Sequence, residues 1–260
     1  MPGGSALYFS LAARELCPVR PVAAVGQDGA PLLQVLEQAG IDQTGIERMA
    51  GPSYQWTATR GRDGQLESQV QRLGVYEEWS PRVPEICRRS EILFLGSMTP
   101  PVQLAVMGQC SGADLVALDT MTDFISSDRE LLLELIGAAD LFFANRAELE
   151  ALLGSGAGLK RASSLLETGR LRAVVVKEGA AGATLVTRQG NRLVPAVGVE
   201  EVVDPTGAGD ALAGGLLGRL AQLRSSSEEA LLLGLEEGVR AAARAISHFS
   251  VRGLLDSQRR

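Results

Sequence analysis

The sequence predicts an α/β fold: a mostly parallel sheet with helices on both faces. Two observations carry this. Short apolar runs alternate with amphipathic segments along most of the chain, which reads as repeated βα units. The runs are continuous rather than polar–apolar alternating, as expected of strands covered on both faces.

In chain order, a helix is expected at Ala6–Leu16, an apolar strand at Val22–Val25 and a helix at Pro31–Ala39. The rhythm then breaks. Ser53–Arg60 and Gln65–Val70 alternate polar and apolar residues around Arg62-Asp63-Gly64, and Asp-Gly between alternating runs signals a hairpin. This hairpin, at about 53–70, stands outside the parallel sheet. It is either a lid over a site or an edge hairpin that only packs. Unbroken apolar strands resume at Ile92–Leu95, Leu115–Leu118, Leu141–Ala144 and Ala173–Val176. Helices are expected between them at Pro101–Gln109, Ser127–Ala138, Arg146–Leu153 and Ala162–Glu167. Strands at Thr184–Thr187 and Leu193–Ala196 precede two closing helices, Asp210–Leu223 and Glu228–Phe249. Gly154–Gly158 and Ser225–Ser227 read as loops. One domain spanning 1–260 is expected, an ordinary size for a single α/β core.

Composition narrows the function. Asp plus Glu number 31 against 25 Lys plus Arg, a formal net charge of −6. Such a chain has no general field to collect nucleic acid or an anionic membrane, so neither partner is expected. Cys17, Cys87 and Cys110 are far apart and form no CxxC pair. That suits reduced thiols in the cytoplasm rather than a disulfide frame or zinc site. No apolar run reaches the length of a membrane span, and the first residues do not read as a signal peptide.

Asp204-Pro205-Thr206-Gly207-Ala208-Gly209-Asp210 carries the chemistry. Pro205 and the two glycines mark a tight turn into a helix. Gly207 and Gly209 let the backbone approach a ligand closely. The first helical turn has free N–H groups and partial positive charge, which makes it a cradle for a phosphoryl group. Asp210 stands at that helix start. It either caps the helix or accepts the proton of an attacking hydroxyl. Other signals point elsewhere only faintly. Gly154–Leu159 fails the dinucleotide fingerprint, no P-loop element occurs, and His248, the one histidine, reads as structural.

The segment Asp204–Asp210 resembles the C-terminal signature of the PfkB carbohydrate kinase family. Gly3-Gly4-Ser5-Ala6 resembles that family's N-terminal diglycine near the substrate, and Val25–Gly29 the strand-end motif that follows. Asn145-Arg146-Ala147-Glu148 is similar to its Asn-x-x-Glu motif, and Lys177–Gly182 to its Lys-x-Gly-x-x-Gly segment. The resemblance implies a ribokinase-like three-layer α/β/α sandwich with a small β lid. It implies an ATP-dependent phosphotransferase acting on a hydroxyl of a sugar or related polyol. The alternatives are a nucleoside kinase of the same fold, or an impaired relative acting as a binding or scaffold protein.

Carried over by position, Asp210 is the base, and the amides of Gly207, Ala208 and Gly209 form the anion hole. Asn145 and Glu148 hold Mg²⁺-bound water and nucleotide phosphates. Lys177, Gly179 and Gly182 border the nucleotide, and Thr206 flanks the phosphate turn. Gly3, Gly4, Ser5, Trp56 and Asp119 face the substrate. Asp204 marks a site for a monovalent cation, K⁺. Each has a plainer reading. Asn145 and Glu148 match a capping box, Lys177 a solvated strand end, and Gly179 and Gly182 a hairpin turn. Trp56 packs the lid as readily as it stacks on a substrate, and Asp119 fits a turn. Lid pairing into a homodimer is a further implication. The family's upstream strand and its substrate-contacting Asp have no counterpart before the diglycine, so an N-terminal truncation is expected.

Overall fold

The computed structural model describes residues 1–60, 66–156, 158–167 and 169–256. The expected turn at Arg62-Asp63-Gly64 lies outside the described residues. The chain opens with α1 (Ser5–Ala13), β1 (Ala23–Val25), α2 (Ala30–Gln38) and β2 (Ile46–Arg48), and then forms a hairpin from β3 (Gln55–Arg60) and β4 (Leu66–Arg72). Next come α3 (Glu85–Arg88), β5 (Ile92–Leu95), α4 (Pro100–Gln109), β6 (Leu115–Asp119), α5 (Thr122–Ser127) and α6 (Arg129–Ala138). They are followed by β7 (Leu141–Asn145), α7 (Arg146–Leu153), α8 (Leu159–Ala162) and β8 (Ala173–Lys177). The chain closes with β9 (Ala183–Thr187), β10 (Gly190–Val194), α9 (Ala208–Leu223), α10 (Glu228–Ile246) and α11 (Arg252–Leu255).

Six strands form the main sheet in the order β10-β9-β8-β7-β6-β5. β5 through β8 run parallel, and β9 and β10 are antiparallel additions at one side. The period of two in each strand sorts its side chains between two cores. Val116, Leu118, Phe142, Ala144, Val174 and Val176 face α5, α6 and α7. Leu115, Ala117, Leu141, Phe143, Ala173 and Val175 face α9 and α10. The result is three layers, α/β/α. β1 and β2 pair parallel in a sheet of their own, and β3 and β4 pair antiparallel in another.

The layer of α1, α9 and α10 packs closely because small residues line α9. A Cβ on Gly214 would sit 2.5 Å from the Phe9 carbonyl oxygen, so only glycine lets α1 and α9 meet there. This contact brings the N-termini of both helices to the same end of the sheet.

Several expected elements are revised. β2 was not anticipated, since only three residues take part and two of them are exposed. The helix expected over Ser127–Ala138 is α6, which starts at Arg129, and a separate short helix, α5, precedes it. The break falls at Asp128, whose carboxylate accepts the Leu131 N–H at 3.3 Å and caps α6. The strand expected at Leu193–Ala196 begins at Gly190 instead, because the hairpin from β9 sets its register. The helix expected over Ala162–Glu167 is short α8 continued as a 3₁₀ turn.

Candidate active site

The parallel strands β5 to β8 all end at one edge, and the chain puts its chemistry there. Gly96 follows β5, Asp119 ends β6, Asn145 ends β7 and Lys177 ends β8. The N-termini of α1 and α9 close over that edge. A Cβ placed on Gly96 would lie 3.1 Å from Ser5 Cβ, so the diglycine segment lies against the end of β5. Open parallel sheets bind ligands beyond the carboxyl ends of their strands for this reason: loops and helix N-termini meet there.

The turn into α9 is shaped for an anion. Gly207 is its N-cap, in the left-handed region at φ 78°. A Cβ there would lie 2.3–2.4 Å from three Tyr8 ring atoms, so glycine is required twice, by conformation and by contact. The Ala211 N–H donates back to the Gly207 carbonyl at 2.9 Å, which starts the helix. Ala208 N–H donates weakly to the Pro205 carbonyl at 3.3 Å. Among the described residues the N–H groups of Gly207, Gly209 and Asp210 have no internal acceptor. Of the expected trio of amides, Gly207 and Gly209 are thus open and Ala208 makes only its long bond to Pro205, and the Asp210 amide is open beside them. The Asp204 carboxylate accepts the Thr206 N–H at 3.0 Å and holds the approach to the turn.

Asp210 sits in the first turn of α9 inside a small ionic cluster. Burial pushes its carboxyl up to about 6, with the Asp119 charge adding, while the Ser5 hydroxyl and Lys177 favour the ionised form. Lys177 Nζ donates to Asp119 at 2.8 and 3.0 Å and lies 3.7 Å from Glu148 Oε2. Burial alone would lower the Lys177 ammonium. The Asp119 and Glu148 carboxylates outweigh it and push it up. Glu148 is raised by burial, which Lys177 opposes. Asp119 was expected to face a substrate. It is 2% exposed, and its oxygens accept from Lys177 Nζ and from the Thr120 N–H at 2.8 Å.

At the β7–α7 junction the capping box forms in full. Asn145 Oδ1 accepts the Glu148 N–H at 2.8 Å, and Glu148 Oε2 accepts the Asn145 N–H at 2.7 Å. Glu148 is only 7% exposed, so the box also fixes a buried carboxylate near Lys177. Capping and charge placement are the same geometry here.

The remaining expected residues fall around this centre. Gly4 caps α1 at φ 96°. Gly179 and Gly182 have positive φ in the turn after β8, and a Cβ at Gly182 would collide with the backbone of residues 194–196. Packing therefore explains Gly182. Trp56 is on β3, half-buried, and among the described residues its buried indole N–H has no hydrogen-bond partner. Its hairpin is tied to the body by Gln69 Nε2, which donates to Asp123 of α5 at 3.3 Å. The Val25–Gly29 motif anchors the same hairpin: Ser53 N–H donates to Asp28 Oδ1 at 2.7 Å.

Three contributors escaped the sequence reading. Tyr8 is 2% exposed and lies under the Gly207 turn. Burial, then the Asp204 and Asp210 charges, push its hydroxyl up to about 12. Gln103 Nε2 donates at 2.8 Å to the carbonyls of both Gly96 and Asp119 and ties the ends of β5 and β6 together. Gly96 accommodates Ser5. The only available signal was indirect: a buried Gln on an apolar helix face needs a partner.

Comparison with known proteins identifies the family and the fold. Residues 2–256 match the pfkB family carbohydrate kinase. A cytidine kinase of Thermococcus kodakarensis is 31% identical over 245 residues, covering 91% of this chain and 86% of the relative. Among solved structures, a Burkholderia thailandensis nucleoside kinase in complex with inosine superposes with a TM-score of 0.78 at 21% identity, over 98% of this chain and 84% of that one. A putative ribokinase II from E. coli in complex with ATP and Mg²⁺ gives 0.79 at 20% identity, over 95% and 83%. Both show the ribokinase fold. The expected N-terminal truncation finds no support in these matches. With the family matched across nearly its whole length, the chain belongs to the pfkB family of carbohydrate kinases and is a small-molecule kinase for a sugar or a nucleoside.

Proposed function

We propose that this chain is an ATP-dependent nucleoside kinase that phosphorylates a sugar hydroxyl of its substrate. The observation that carries the reaction is Asp210, raised to about 6 and set beside the unpaired amides of the α9 turn. The substrate class rests on the cytidine kinase relative, which moves the reading from the free sugar first expected to the nucleoside alternative. The hairpin supports it: Trp56, half-buried on β3, provides a flat aromatic side chain of the kind that packs on a nucleobase.

In this reading Asp210 accepts the proton of the attacking hydroxyl. The amides of Gly207, Gly209 and Asp210 receive the charge that develops on the transferring phosphoryl group. Catalysis is positioning and charge stabilisation, with no covalent enzyme intermediate. Glu148 and Asn145 fit Mg²⁺ in one specific way. Among the described residues no group of three or more His, Cys, Asp or Glu side chains could hold a metal. A single carboxylate whose Oε1 lies outside the capping box suits an ion that arrives on phosphates and keeps its waters. When bound, Mg²⁺ would neutralise phosphate charge. A K⁺ requirement at Asp204 belongs to the same reading and would appear as activation by KCl over NaCl.

A screen that follows ADP release, with cytidine, inosine, ribose and fructose as acceptors, tests the proposal. Turnover is expected with a nucleoside and not with the free sugars. Transfer to a sugar alone would return the chain to the sugar kinases. No transfer and no ATP binding would leave the scaffold reading. A pH profile follows from the same carboxyl. The base must be ionised, so kcat/KM is expected to rise through about pH 6 and to fall about tenfold per unit below it.

A further inference from the structure

We propose that Lys177 is a positioning residue for phosphotransfer: its ammonium, pinned by Asp119, props the Gly209 turn of the anion hole and serves as the internal counter-charge to Asp210. This goes beyond the border to a nucleotide expected from its motif, and it rests on the kinase reading above. The geometry is specific. Lys177 ends β8, its side chain is 16% exposed, and both Asp119 oxygens hold Nζ, at 2.8 and 3.0 Å. A Cβ on Gly209 would lie 3.3 Å from Nζ and 3.2 Å from Cδ, so the side chain lies directly beneath the turn whose amides are free. Glu148 flanks it at 3.7 Å on the side of α7. One ammonium thus touches the end of β6, the start of α7 and the start of α9.

The charge balance explains why such a group is needed. Asp119, Glu148 and Asp210 converge in a poorly solvated space, and like charges there oppose one another's ionisation. Lys177 is the cation that opposes this. Asp119 keeps it in place, because an ammonium on a four-carbon stem would otherwise rotate away. The groups facing Asp210 are Ser5 and Tyr8 from α1, Asp119 from β6 and Lys177 from β8. Lys177 and Asp119 act on it in opposite directions. That opposition separates positioning from mere packing.

Lys177→Met removes the charge and keeps the stem. It is expected to lower kcat roughly 10²-fold, the scale of losing one charge-stabilising group, with KM for ATP and nucleoside nearly unchanged. The acid limb of the pH profile should move to higher pH. Asp119→Asn should move that limb to lower pH. If Lys177→Met fails to fold, the double variant Lys177→Met/Asp119→Asn removes both partners and leaves neither unpaired. Its limb should return close to wild type while kcat stays low. Carbon-13 NMR titration of aspartate carboxyls, with Asp210 assigned through Asp210→Asn, reads the same shifts without any substrate. A wild type that transfers phosphate to nothing would refute the kinase reading, while the titration still decides the role of Lys177. Unmoved Asp210 titration in both single variants, or a rise in KM for ATP with kcat preserved, would overturn the proposal.

Discussion

Asp210→Asn is expected to abolish phosphotransfer and to leave the fold intact. The amide keeps the shape of the carboxyl but cannot take a proton, and losing a placed base costs on the order of 10²–10⁴ in rate. Nucleotide binding should survive, because the free amides of the α9 turn belong to the backbone. Stability should move the other way. The folded carboxyl is raised to about 6 from its ordinary 3.8, so the fold favours its protonated form. Above about pH 6 the wild type carries the cost of a desolvated charge, and below about pH 4 it does not. The variant should therefore melt higher than wild type at pH 8, and the advantage should shrink as pH falls through 6 towards 4. Thermal melts at pH 8 and pH 4, with a single-turnover assay, check both halves. Near-normal turnover would remove Asp210 from the chemistry and leave it a helix cap.

The second large effect is expected at Gly207. Gly207→Ala places a side chain at φ 78° and drives Cβ to within 2.3–2.4 Å of the Tyr8 ring. The left-handed conformation alone costs an L residue roughly 1–2 kcal/mol. The contact costs more, because Tyr8 is 2% exposed and has no room to retreat. The turn must shift, and its amides with it. Donors misplaced from a developing oxyanion cost on the order of 10²–10³ in kcat. Urea unfolding and kcat measured together should show both losses. Gly207→Asn separates the causes: Asn tolerates the left-handed region but still meets the ring. An Asn variant as inactive as Ala assigns the effect to Tyr8. Recovery in the Asn variant would assign it to φ alone.

Lys177 shows how far the sequence could be read. Its place in a Lys-x-Gly-x-x-Gly segment marked it as belonging to the site, yet nothing local says that its charge turns inward. Its partner Asp119 lies 58 residues away on another strand. Asn145 and Glu148 are the reverse case. Their spacing of three states the capping box outright, and the structure forms it.

The amino-acid order alone determined the parallel strands β5 to β8 and the glycine-lined entrance to α9. It did so because both are written in local patterns: unbroken apolar runs, and a turn that needs small residues followed by a helix. It also placed Asp210 at that entrance. Only the tertiary structure decided which charges meet there. Tyr8, Asp119, Lys177 and Asp210 come from four elements, and their distances are set by how α1 and α9 pack against the strand ends. The raised Asp210 carboxyl is a product of that packing, since desolvation and neighbouring charge depend on three-dimensional proximity rather than on neighbours in the chain.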